Sequence, residues 1–262
     1  MRGHVPGFMS GVASVGFVDV VVEDEDERVA RLLAAQDKAA VLFDEVIRRQ
    51  LLTPGITERQ ASDAIRDLAA ELLGIDRFWH KRIVRAGQNT LQPYDENPAD
   101  RVIEADDIVF IDFGPIFEQW EADFGRTHVL GDDPRKHALR HALPVVWHAS
   151  REFFDTHTDV TGEEFYEQVV HLARQAGWEF GGTIAGHLVG QFPHVKIAGD
   201  DIESYIAPGN HTRMRDPDRN GQACHWILEV HLVDRARRIG GFVEELLDIG
   251  TPALPRTTAG LA

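Results

Sequence analysis

Two aspartates stand in strongly apolar surroundings: Asp112 closes the run Ile108-Val109-Phe110-Ile111, and Asp123 lies among Trp120, Ala122 and Phe124. A carboxylate inside such a run loses several kcal/mol of hydration unless it is paired or bound to a cation. Acids that converge in a core repel one another unless cations hold them together, and oxygen donors are what hard or borderline divalent metals prefer. On these two residues alone, the alternative that both cap turns and face water stays open. Three later stretches carry the same kinds of donor. Gly186-His187-Leu188-Val189-Gly190 is followed by Phe192-Pro193-His194, which puts two histidines seven residues apart beside glycines. Glu229 lies in the middle of the strand-like run His225 to Leu232, and Glu244 lies in the apolar run after Gly240-Gly241. The set therefore reads Asp, Asp, His, Glu, Glu, each member at a strand position or next to a glycine that permits close approach. Glu245 should point to the opposite face of its strand from Glu244 and so lie away from the set.

The motifs IDFG, EADFGRT, GHLVG with a histidine seven residues on, LE and GGFVEE occur in that order. Together they resemble the five-ligand signature of the pita-bread-fold metallopeptidases, which include methionine aminopeptidase, Xaa-Pro aminopeptidase and prolidase. The resemblance covers roughly residues 25 to 250. It implies an α+β pita-bread (creatinase/aminopeptidase-like) fold, with pseudo-symmetric α/β halves around a curved antiparallel sheet. It further implies two divalent ions, Mn, Fe, Co or Zn. By the resemblance Asp112 chelates one ion, Asp123 and Glu244 bridge both, and His187 with Glu229 completes the second; Glu229 also lies closest to the family's base. His194 matches the histidine that contacts the substrate carbonyl or the tetrahedral intermediate. Arg126 and Thr127 are expected to orient the carboxylates. Four carboxylates and one imidazole can hold two ions about 3.5–4 Å apart, polarise a carbonyl and bring a water close to hydroxide at neutral pH.

One loop departs from the family. The family histidine seven residues after the glycine of Gly87-x-Asn89 is here Tyr94, with His80, Asp95 and Glu96 as nearby groups that could compensate. A phenol, with an ordinary pKa of about 10, donates a hydrogen bond at neutral pH but accepts a proton poorly. Thr183 stands where proline-directed members carry a histidine four residues before His187. Two readings follow. The first is a metallohydrolase of peptide or related amide bonds, Xaa-Pro aminopeptidase-like, with His194, Glu229, Tyr94 and His80 as catalytic candidates. The second is a non-peptidase member that oxidises or rearranges a small molecule, or a metal-binding protein without hydrolase activity.

The donors need elements to position them. Val29 to Gln50 has helical apolar spacing after the acidic run Glu23 to Glu27, which favours a helix N-terminus. Thr57-x-x-Gln60 and Thr161-x-x-Glu164 read as capping boxes for helices ending near Gly74 and Ala176, and Asp133-Pro134 opens a helix reaching about His157. Strands are expected at 79–85, across Ile108 to Asp112, in the run leading into Asp123, and at 225–233 and 239–248. The loop 86–106 separates the first two strands, and the polar loop 205–221 is expected to be mobile or to border a site. A helix pair followed by strands occurs twice, hinting at a duplicated unit.

Composition sets the outer limits. The 262 residues suit one sizeable domain, read as an N-terminal arm over 1–22, a catalytic domain over 23–252 and a frayed tail over 253–262. A net charge of −16 disfavours nucleic-acid and anionic-membrane partners, leaving a small peptide or small-molecule amide as substrate and a homodimer open. No stretch approaches about 20 apolar residues, and the apolar run before Val22 is interrupted by Asp19, so neither a span nor a secretory leader is expected. The single Cys224 cannot form an intrachain disulfide, which fits the cytoplasm.

Overall fold

A computed structural model describes residues 24–192, 202–219 and 221–256. The arm at 1–22, His194 and the last residues of the tail lie outside them. Helix α1 (Glu25–Arg48) starts on the Asp24 cap, with Glu25, Asp26 and Glu27 in its first turn, as the acidic run predicts. Its buried stripe runs through Leu32, Ala35, Ala39, Leu42 and Val46. Helix α2 (Glu58–Leu73) carries the Thr57–Gln60 capping box and stops at Gly74, whose φ of 68° is left-handed. Then come β1 (Ile83–Ala86), β2 (Ile108–Phe113), the short β3 (Ile116–Phe117) and β4 (Trp120–Glu121), and β5 (Phe124–Val129). The second half repeats the plan with α3 (Pro134–Thr156), α4 (Gly162–Gln175, again with its capping box), β6 (Glu179–Phe180), β7 (Gly186–Val189), β8 (His225–Asp234) and β9 (Ile239–Leu246).

Seven of these strands form one antiparallel sheet in the order β1-β2-β5-β9-β8, with β6 and β7 both pairing to β8. The order is the same read from either end in terms of the two halves, so a pseudo-two-fold passes between β5 and β9. Each half buries one face of its strands under its own helix pair. Val109, Ile111 and Phe113 pack with residues of α1 and α2, whereas Leu228, Val230, Leu232 and Val243 pack with residues of α3 and α4. The period of two then leaves Phe110, Asp112, Glu229, His231, Phe242 and Glu244 on the other face.

Two expectations need correction. The strand predicted over 79–85 begins only at Ile83, and the chain from Phe78 to Arg82 is irregular, running past the Gly114 turn with Trp79 N bonded to Gly114 O at 2.9 Å. Asp123 does not lie inside a strand: the β3–β4 hairpin intervenes, and Asp123 sits one residue before β5, just beyond the Phe113–Phe124 pair that ends the ladder. The first residues of the expected loop, Gly87–Leu91, form a 3-10 turn. Among the described residues no helix is long and apolar enough to cross a membrane.

Candidate metal centre and active site

One row of paired residues crosses the sheet: Ile83, Asp112, Gly125, Glu244 and Glu229 are successive partners, and Glu229 N then donates to Ala185 O at 3.0 Å. Asp112, Glu244 and Glu229 thus project side by side on the face free of helices, into a cavity of about 550 Å³. Asp123, two residues before Gly125 and on the same face, joins them. His187, in the edge strand β7, places Nε2 2.9 Å from Asp123 Oδ2 and 3.7 Å from Glu229 Oε1. From the opposite edge, His80 places Nε2 3.1 Å from Asp123 Oδ1 and 3.5 Å from Asp112 Oδ1. Asp123 therefore shows one oxygen to each imidazole. All five residues expected as ligands converge, and His80 converges with them.

The electrostatics are those of crowded acids in a dry site. Burial, and then the neighbouring acids, push Glu229 up to about 8 and hold Glu244 well above the usual carboxylate range. Burial raises Asp112 to about 6 even though His80 draws it down. Asp123 is equally buried, but His80 and His187 beside it hold it below the ordinary range. Burial alone would lower both imidazoles; Asp123 and the other acids raise each to about 9. Asp112 Oδ1 and Glu244 Oε1 are buried without a hydrogen-bond partner. Buried carboxylate oxygens seldom lack one, and a divalent cation is what four clustered carboxylates and facing imidazoles accept. The donor set therefore fits the metals that the sequence implies.

Other expected residues take other places. Tyr94 lies at the cavity mouth, 44% exposed, its ring edge-on to His80 at 5.8 Å and beneath Lys81 Nζ at 4.5 Å. Asp95 and Glu96 are exposed, and so is Thr183 at the cavity rim. Tyr205, from the loop expected to border a site, lines the cavity. Arg126 and Thr127 do not touch the clustered carboxylates. Arg126 ion-pairs with Glu245, which faces away as its parity requires, and donates to Glu244 O at 2.9 Å. Thr127 Oγ1 exchanges hydrogen bonds with Phe242 O and N at 2.8 Å each, so both residues fix the β5–β9 backbone instead.

Three residues escaped sequence reasoning. Trp79 packs edge-on to both imidazoles, at 4.5 Å from His80 and 5.2 Å from His187. Arg85 is buried and donates to Pro93 O at 2.7 Å and Glu96 O at 2.8 Å, holding the loop that carries Tyr94. Its signal was an arginine inside the apolar run Ile83 to Ala86. His231 faces the cavity but its Nε2 bonds Thr90 O at 2.8 Å, and burial pushes it down to about 4, so it stays neutral and occupied. The alternation 229/231 would have found it.

A family model described as metallopeptidase family M24 matches residues 30–218. The X-Pro aminopeptidase from Thermotoga maritima superposes with a TM-score of 0.68 at 17% identity, over 89% of this chain and 63% of that one. Dipeptidase PepE from Mycobacterium ulcerans gives 0.62 at 23%, over 84% and 55%. Methionine aminopeptidase from Rickettsia prowazekii gives 0.60 at 13%, over 85% and 93%. An uncharacterized peptidase from Staphylococcus saprophyticus is 27% identical over 149 residues, which are 54% of this chain and 40% of that protein. The chain thus spans between 40% and 63% of the length of three of these relatives, and what it shares with the solved structures is the pita-bread fold.

Proposed function

Since the chain belongs to metallopeptidase family M24, we propose that it is a dinuclear metal-dependent hydrolase of peptide or related amide bonds, Xaa-Pro aminopeptidase-like in its preference. The carrying observation is the convergence of Asp112, Asp123, His187, Glu229 and Glu244 on one cavity, two of their oxygens being buried without partners. In this reading Asp123 and Glu244 would be shared between two ions, Asp112 would serve one, and His187 with Glu229 would serve the other; such ions would supply Lewis acidity toward the scissile carbonyl and a water activated as nucleophile at neutral pH.

The chain's own residues then carry the rest. Glu229, on the cavity face 3.7 Å from His187 Nε2, would accept the proton of the attacking water and return it to the leaving amine. Phe110 and Phe242 wall the cavity beside the acids and limit bulk water. Tyr94 orients the substrate amide as a donor; burial and Asp112 raise its phenol further, which weakens it as an acceptor. His194, which lies outside the described residues, would by the resemblance of its motif meet the developing negative charge. The oxygen-rich donors suit Mn, Fe or Co at least as well as Zn. A cytoplasmic location agrees with a lone cysteine, Cys224, whose thiol burial pushes up to about 11.

Tyr94 in place of the family histidine supports a second reading, a family member acting on a small molecule other than a peptide. A panel of Xaa-Pro and ordinary dipeptides and tripeptides, incubated with Mn, Fe, Co or Zn and followed by mass spectrometry, separates the two. Release of the N-terminal residue, lost in Glu229→Gln, supports the hydrolase. Intact peptides under every metal, with two ions bound, refute it in favour of the second reading.

A further inference from the structure

We propose that His80 is a sixth metal ligand, so that the centre holds one imidazole on each ion instead of one in total. This rests on the dinuclear reading above. His80 and His187 are held in the same way from opposite edges of the sheet. Nδ1 of His187 lies 2.8 Å from Leu188 O and Nδ1 of His80 lies 2.7 Å from Lys81 O, in each case the carbonyl of the next residue. A carbonyl only accepts, so Nδ1 carries the proton in both rings and Nε2 of the neutral form presents a lone pair. Each Nε2 lone pair then faces a different oxygen of Asp123, at 3.1 Å for His80 and 2.9 Å for His187. A lone pair facing a carboxylate is repulsive unless a proton or a cation lies between them. Donors in cis positions about 2.1 Å from an octahedral ion lie about 3 Å apart, which is the spacing found at both histidines.

The neighbouring atoms point the same way. Asp112 Oδ1, buried and unpartnered, is the oxygen 3.5 Å from His80 Nε2, and it opens on the same gap. The approach of His80 is built into the fold: a Cβ at Gly114 would come within 2.2 Å of His80 Cδ2 and 2.5 Å of Nε2. Trp79, whose Nε1 is fixed on Ala122 O at 3.2 Å, holds both rings edge-on. Four carboxylates balance two divalent ions, and a neutral imidazole adds a donor without adding charge. The resulting complement of four carboxylates and two imidazoles is the one that di-iron and di-manganese carboxylate proteins project from helical bundles. His80 with Asp112 thus completes the ion that otherwise has oxygen donors alone.

The test is X-ray absorption at the metal edge on the full chain loaded with two equivalents of Co(II), counting imidazoles by their outer-shell scattering, together with calorimetric titration. The unaltered protein is expected to show one imidazole per ion, and His80→Gln, with Co(II) raised until both sites are filled, one per two ions. In that variant one binding equivalent should weaken by more than the roughly 100-fold that loss of an outer partner causes, while the other is retained. One imidazole per two ions in the unaltered protein overturns the assignment and leaves His80 as an imidazolium partner of Asp123; this count needs no variant to fold. Failure of the unaltered protein to bind two ions overturns the dinuclear reading itself, and the ligand assignment with it.

Discussion

The two halves of the molecule share a plan, yet they meet the site differently. Across the pseudo-two-fold, Asp112 of β2 matches Glu229 of β8, and Gly125 of β5 matches Glu244 of β9. The centre of the row thus has an acid on one side only. The reason is steric: a Cβ at Gly125 would come within 2.6 Å of the Phe242 ring and 3.2 Å of Glu244 Cγ. The first half instead supplies its second acid from Asp123, two residues earlier and outside the ladder. The edges differ too. The β1 residue matched to His187 is Arg85, which holds the Tyr94 loop, so the first half presents its imidazole from His80 in the turn before β1. A symmetric scaffold accommodates an asymmetric centre by moving donors along the chain, Asp123 two residues before Gly125 and His80 five residues before Arg85.

The comparison breaks most completely at Asp123, the one acid that faces both histidines. Asp123→Ala should abolish binding of both ions, whereas Asp112→Asn and Glu229→Gln should each release one; elemental analysis of the dialysed proteins distinguishes them. At the mouth, Tyr94→His should raise turnover of simple peptides toward the roughly 10²–10⁴-fold that a general acid or base contributes, with Tyr94→Phe moving it the opposite way. Equal steady-state rates in all three proteins would remove Tyr94 from the chemistry. Next comes the packing between the halves. Gly125→Ala forces Phe242 or Glu244 to move, and overpacking of this kind costs about 1–3 kcal/mol, read as a lower denaturation midpoint.

The smallest effect lies where the halves are tied together away from the site. His225 Nδ1 meets Asp248 at 2.8 Å and Nε2 meets Glu25 of α1 at 2.7 Å. Burial alone would lower this imidazole, but the two carboxylates raise it above its ordinary value. A raised folded pKa gives stability that is fully present below the unfolded value of about 6.5 and is lost as pH rises through the folded value. His225→Asn should therefore lower the melting temperature more at about pH 6 than at about pH 9. A gap that widens with pH would contradict the sign.

Much of this was legible in the sequence, for physical reasons. The helices announced themselves through the Thr57–Gln60 and Thr161–Glu164 boxes and the Asp133-Pro134 start, which are local signals and appear where expected. Strand parity separated Glu244 from Glu245. Parity failed at Asp123 because the β3–β4 hairpin is too short to show a period, and at Trp79 and His80 because an aromatic run reads as a strand when it is in fact a turn pressed against Gly114. Which imidazole meets which oxygen depends on the pairing of β1 with β2 and of β7 with β8, and such long-range register leaves no local mark.

The central claim is that Asp123 stands between two ions. A crystal structure of the Mn-loaded protein with anomalous scattering recorded at the Mn edge tests it most directly. The account predicts two anomalous peaks, one beside Asp112 and one beside His187 and Glu229, each within bonding distance of a different oxygen of Asp123. A single peak, or two peaks of which only one touches Asp123, would contradict it.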